Sequence, residues 1–199
     1  MKKVVVILAM FVFSIANAQK GTVLVAGQIG FNSDQNSNGT KSNVFNFSPK
    51  VGYQFSDNLT VGIQSGFGFT NRTELVDNGF QFVEADVKFN QYNLGAFLRY
   101  SKPLAGVFSA FADLSVGVNQ AKGSLNFPGG SASETKYNGF FAGINPAIAI
   151  DLNKGLLLNF SVGGLNYNTI KADSNGAKAI SAFSFNFGQQ INIGISKNF

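Results

Sequence analysis

The sequence predicts an all-β fold, an eight-stranded antiparallel up-and-down β-barrel with both termini at the same end. Three observations carry that expectation. Apolar and polar residues alternate with period two along eight separate segments, the mark of a sheet with two different faces. The connections between those segments alternate between short and long. Phe, Val, Ile and Tyr, which favour strands, fill the apolar positions; Phe reaches 22 residues and Gly 23, while charged residues make up only 13%.

The N-terminus is of another kind. Lys2 and Lys3 precede an apolar run from Val4 to Ile15, and Ala16-Asn17-Ala18 supplies the small-x-small pattern of a signal-peptidase site. This layout predicts a secretory signal over 1–18, cleaved after Ala18, and one domain over 19–199. The run is too short to cross a membrane as a helix. Loss of Lys2 and Lys3 lowers the formal charge from +5 to +3. The remaining basic residues are scattered singly, so no nucleic-acid partner is expected.

The strands follow in order. The first is expected from Val23 to Phe31, with Val23, Val25, Ile29 and Phe31 on one face. The second, over 43–55, sets Phe45, Phe47, Val51, Tyr53 and Phe55 against Asn46, Ser48, Lys50, Gly52 and Gln54. The third, from Leu59 to Thr70, sets Leu59, Val61, Ile63, Phe67 and Phe69 against Thr60, Gly62, Gln64, Gly66 and Gly68. The fourth ends in Tyr92, Leu94, Ala96, Leu98 and Tyr100. The fifth and sixth carry Phe108 to Val118 and Phe140 to Ile150. The seventh carries Leu156, Leu158, Phe160 and Val162 and predicts an irregularity at Gly163-Gly164. The last alternates from Phe183 to Phe199. Pro49 and Pro146 fall inside strands, where each removes a ladder hydrogen bond, so bulges or strand ends are expected there.

Short turns are expected at 56–58, 101–105 and 151–155, and longer polar loops at 32–42, 71–86, 120–136 and 170–180. Three short and four long connections place both termini on the short-turn side. Within the second long segment, Asp77-Asn78-Gly79 is a strong hairpin signal. Val83, Ala85, Val87 and Phe89 alternate after it, before a change of parity near Asn90-Gln91. This predicts that the third and fourth strands protrude beyond the barrel body as a hairpin, offering a strand edge to surface partners over 71–90.

Alternation alone does not say which face is outside, because a soluble lipid-binding barrel points its apolar face inward. The polar face discriminates. Here it is Gly, Asn, Ser, Gln and Thr, whereas a water-facing surface would carry many charges. Small uncharged groups suit the narrow interior of an eight-stranded barrel. The prediction is therefore a transmembrane barrel with lipid against the apolar row. Aromatic residues band at both ends of the strands, as lipid interfaces select.

The stretch Ser48-Pro49-Lys50-Val51-Gly52-Tyr53-Gln54-Phe55, running through Ser56-Asp57-Asn58 into Leu59-Thr60-Val61-Gly62, and the terminal strand ending in Phe199 resemble the small outer-membrane β-barrel proteins of Gram-negative bacteria, particularly Bacteroidetes-type members. The resemblance implies an outer-membrane address, periplasmic termini and a monomer. It also implies that Asn192, Gly194 and Phe199 form the signal offered to the outer-membrane assembly machinery. Lys197 departs from that pattern, where an apolar residue is usual.

Candidate chemistry is sparse. Cys and His are both absent, which removes disulfides, thiolate metal sites and His-activated nucleophiles. No cofactor, metal or catalytic residue is expected. Lys50, Arg99 and Asp113 stand out on the polar face, where unpaired charge is costly. They read either as a structural network filling the lumen or as the selectivity element of a narrow pore. A turn at 101–105 would put Arg99 near Val107 and Asp113 near Asn93, apart from one another; Lys50 would reach Asp113 only across the lumen.

Overall fold

The computed structural model describes residues 21–36, 40–77, 82–127, 132–153 and 155–199. The expected signal over 1–18, the Asn78-Gly79 turn and the segment 128–131 lie outside them. Eight strands follow in chain order: β1 (Val23–Gln35), β2 (Lys41–Gln54), β3 (Leu59–Asp77), β4 (Phe82–Pro103), β5 (Phe108–Asn126), β6 (Ala132–Asn153), β7 (Leu156–Ala172) and β8 (Ile180–Asn198). Each pairs antiparallel with its sequence neighbours, and β8 returns to β1 to close the ring.

All eight expected strands are present, but most run further than their apolar alternation indicated. The segment 120–136, expected as a loop, is largely strand, and 71–86 carries β3 and β4 onward as the expected protruding hairpin. The β3–β4 ladder is unbroken from Leu59↔Tyr100 to Asp77↔Phe82, and β4–β5 from Pro103↔Ser109 to Asp86↔Asn126. The parity change expected near Asn90-Gln91 is therefore not a bulge. The two faces exchange polarity on a continuous strand. The outer row of β4 reads Tyr100, Leu98, Ala96, Leu94 and Tyr92, then Asn90, Lys88, Asp86 and Glu84. Its inner row reads Arg99, Phe97, Gly95, Asn93 and Gln91, then Phe89, Val87, Ala85 and Val83. On β5 the outer row turns from Val118 to Gln120, Lys122 and Ser124.

Environment explains the exchange. Beyond the hydrocarbon the outer face meets water and no longer needs apolar side chains, while the ladder still satisfies the backbone. Below it, Phe108 to Val118 at about 3.3 Å per residue and a tilt near 40° rise about 25 Å, the height of a lipid-facing band. Ile63, Leu94, Leu114 and Val116 project from that band and are all more than half exposed.

The prolines and glycines act locally. Pro49 interrupts the β2–β3 ladder between Phe47↔Phe67 and Lys50↔Gln64 without shifting register. At Pro146 the β6–β7 register shifts between Ile144 and Ala147. The irregularity expected at Gly163-Gly164 is a second shift, against β8, and Gly163 takes φ +102°, a conformation other residues rarely adopt.

Candidate functional site

The lumen floor is built around the β4–β5 turn. The Leu104 N–H donates to the Phe108 carbonyl at 2.9 Å and the Phe108 N–H to Ala105 at 3.1 Å, with Gly106 at φ +59° between them. The turn thus lies later than the expected 101–105. Ser101, Lys102 and Pro103 are strand residues paired with Phe111, Ala110 and Ser109. Pro103 ends β4, where a missing N–H disturbs little. The consequence corrects the expected register: Arg99 and Asp113 are direct cross-strand partners.

Their side chains meet in a two-pronged ion pair, Arg99 Nε to Asp113 Oδ1 at 2.6 Å and Arg99 Nη2 to Oδ2 at 2.9 Å. Lys50 reaches across from β2, its Nζ 2.9 Å from Asp113 Oδ2. The lumen contact that sequence left open is therefore made. Arg99 also lies over the Phe111 ring, 3.8 Å from its centroid, and Lys50 lies 5.5 Å from that of Phe97. Two cations share one carboxylate, so the cluster carries net charge +1. Arg99 and Asp113 are buried, whereas the Lys50 side chain is 26% exposed.

Three inward phenylalanines, Phe97, Phe111 and Phe141, were not anticipated on a face read as small and uncharged. Each stands between outward apolar neighbours, such as Ala96 and Leu98, so it merges into a local apolar run; only its parity gives it away. Glycines make the room. Gly52 pairs with Gly62, and the Phe97 ring lies over both; Gly95 pairs with Gly117, and Phe141 covers them in the same way. Placing aromatic area over strand glycines restores packing that glycine alone forfeits.

Toward the short-turn end the interior is packed: Thr60, Phe97, Ala149 and Ser196 are buried, and Asn159 donates to Ser196 at 2.8 Å. Above the cluster lies a cavity of about 450 Å³ lined mainly by amides, with Lys50 and Asp113 in its wall. Asn145 and Asn166 exchange hydrogen bonds at 3.2 Å, and Asn119 donates to Asn168. This is a closed-bottomed polar cup. Its groups hydrogen-bond and carry charge, but both Asp113 oxygens are already engaged by cations. Among the described residues no cluster of acidic side chains could hold a metal.

At the other end, β3 to β6 stand beyond the level of the polarity exchange as a four-stranded sheet. Pairing with β2 stops at Ser42↔Arg72 and pairing with β7 at Tyr137↔Ala172. The Asp173 N–H still donates to the Lys136 carbonyl at 2.8 Å, so residues 73–77 of β3 and 132–135 of β6 are its two edges. The expected protruding hairpin is thus wider than two strands. On its outer face Lys122 meets Glu134 at 2.7 Å; on its inner face Phe89 packs against Tyr137 with ring centroids 6.2 Å apart.

The residues expected to signal assembly lie on and just past β8. Asn192 is exposed and borders the cavity. Gly194 is buried where a Cβ would come within 2.9 Å of Gln28 Cγ. Phe199 is exposed, and its N–H donates to the Val23 carbonyl at 3.1 Å.

A closed ring with an apolar outer band, a polar cup inside and charged strands above the band defines a transmembrane β-barrel. The chain belongs to the family described as the outer membrane protein beta-barrel domain, which it matches over residues 5–199. Its place is the bacterial outer membrane. It is similar to a major outer membrane protein from Thermus thermophilus, at 14% identity and TM-score 0.58, over 90% of this chain and 99% of that one. Neisserial surface protein A aligns at 18% identity and TM-score 0.45 over 90% and 96% of the two chains. Ail of Yersinia pestis, solved with the heparin analogue sucrose octasulfate, aligns at 14% and 0.44 over 90% and 97%. No curated protein matches in sequence.

Proposed function

We propose that the protein is a plugged outer-membrane anchor that holds a stiff sheet above the membrane for contact with other surfaces. The observation that supports this most is the unbroken β3–β4 ladder, which continues past the polarity exchange to Asp77↔Phe82. A polar segment that merely linked two strands would need no such ladder. The edges at 73–77 and 132–135 present backbone donors and acceptors to an extended partner strand. In this reading 1–18 is removed, the short turns and both termini face the periplasm, and Asn192, Gly194 and Phe199 guide assembly. No catalytic role is assigned, because the lumen carboxylate of Asp113 is held by three cation contacts.

The test removes the sheet and leaves the barrel. Cells carrying the full chain are expected to attach to protein-coated surfaces more strongly than cells carrying a chain without residues 72–88 and 122–136, the protruding halves of both hairpins, at equal amounts of folded protein in the outer membrane. Equal attachment would remove the reading.

A narrow pore is the competing function. The buried Arg99–Asp113 pair and the inward Phe97 and Phe111 weigh against it. Planar-bilayer recordings of the purified barrel are expected to show no steady channel, and a stable conductance would restore the pore.

A further inference from the structure

The ring is closed unevenly. Between β1 and β8 the ladder runs only from Leu24↔Asn198 to Gly27↔Ile195, supplemented by reciprocal bonds between Val23 and Phe199. Above Gly27, β1 continues to Gln35 paired with β2, and β8 from Ile180 to Phe187 is paired with β7. Among the described residues no pairing joins β1 to β8 there. Among the described residues, side chains flanking the gap are the most exposed of their kind: Ile29 and Phe31 at 72% and 73%, Phe185 at 71%.

An open strand edge at membrane depth is tolerated only where it lines a polar cavity or is occupied. Both conditions point the same way here. The amide-lined cup reaches Gln28 on one edge and Asn186 and Asn192 on the other, so its lining spans both sides of the interrupted ladder. The cup's charged cluster is net positive, and Lys50 is its accessible member. Outside the gap, Ile29, Phe31 and Phe185 are apolar. A polar cationic interior joined sideways to an apolar exterior matches one ligand shape: an anionic head on an alkyl tail.

We infer that the β1–β8 gap is a lateral doorway through which the cup takes the carboxylate head of a long-chain amphiphile, leaving its tail in the bilayer. Lys50 and the surrounding amides receive the head, while Ile29, Phe31 and Phe185 flank the tail. This site is separate from the protruding sheet and does not depend on its role.

The probe is 11-(dansylamino)undecanoate, titrated into the purified full-length barrel in lipid nanodiscs and followed by dansyl fluorescence. Saturable binding is expected, weakened about tenfold or more by Lys50→Gln, as loss of one charge-assisted contact implies, and retained by Lys50→Arg. Dodecanoate should displace the probe, whereas butyrate and inorganic phosphate should not. A gel-mobility shift on heating confirms that each variant is folded. Equal binding of the probe's methyl ester, or no effect of Lys50→Gln in folded protein, would overturn the site. Displacement by phosphate or butyrate would make it a free-anion site instead. Because the chain has no cysteine, Phe31→Cys adds a further check: disulfide-linked dimers in the membrane would place a second copy at the doorway and overturn the inference too.

Discussion

Asp113→Ala is expected to destabilise the barrel by about 3–5 kcal/mol, the cost of removing one partner from a buried ion pair. The carboxylate accepts both prongs of Arg99 and the Lys50 ammonium. Without it, a buried guanidinium keeps its stacking on Phe111 but loses its countercharge. Lys50 contributes less, because it is partly exposed and can turn toward the cavity. A triple variant, Asp113→Ala with Arg99→Met and Lys50→Met, should recover much of the loss, since replacing a whole buried cluster by apolar groups is often near neutral. Urea unfolding in lipid vesicles measures both. A loss below about 1 kcal/mol for Asp113→Ala would mean the cluster is hydrated rather than buried.

Gly62→Val is expected to prevent the barrel from closing. A Cβ at Gly62 would stand 2.2 Å from the Val51 carbonyl oxygen and 2.7 Å from Phe97 Cε1. A ring can rotate away, but a ladder carbonyl cannot leave without breaking β2 from β3. Phe97→Ala should therefore not rescue Gly62→Val. On its own Phe97→Ala should cost about 3–5 kcal/mol, as for other buried phenylalanines. Gly30→Ala is the control, because a Cβ there meets only Asn46 Cβ, at 3.9 Å. Refolding yield, read as the fraction that shifts mobility on heating, should fall for Gly62→Val and stay unchanged for Gly30→Ala. A normal yield for Gly62→Val would contradict the close packing of β2, β3 and β4.

Strand number and order were legible in the sequence because lipid imposes one repeating demand, an apolar side chain at every second residue. Strand length was legible only in part, since that demand ends at the membrane surface while the ladder goes on; the protrusion of β3 and β4 could be read from Asp77-Asn78-Gly79 and the alternation after it, whereas Gln120 and Lys122 looked like loop residues. The Arg99–Asp113 pairing was hidden by one misplaced turn. Lys102-Pro103 reads as a turn, yet the chain reverses at Gly106, and every pairing on β4–β5 follows from that position. Lys50, Arg99 and Asp113 could be singled out by rarity of charge on the polar face, but their meeting depends on barrel curvature, which alternation does not encode. The short β1–β8 ladder has no local signature at all.

The central claim is that one continuous strand passes from lipid to water where its outer row changes from Tyr92 to Asn90. Nitroxides attached to single cysteines along the outer row of β4, at Leu98, Ala96, Leu94, Asn90, Lys88 and Asp86, report this directly in lipid vesicles. Collisions with oxygen should dominate at the first three positions and collisions with a water-soluble nickel chelate at the last three. All six should keep the restricted motion of a paired strand. Equal accessibility to the nickel chelate along the whole row, or loop-like mobility at Lys88 and Asp86, would contradict it.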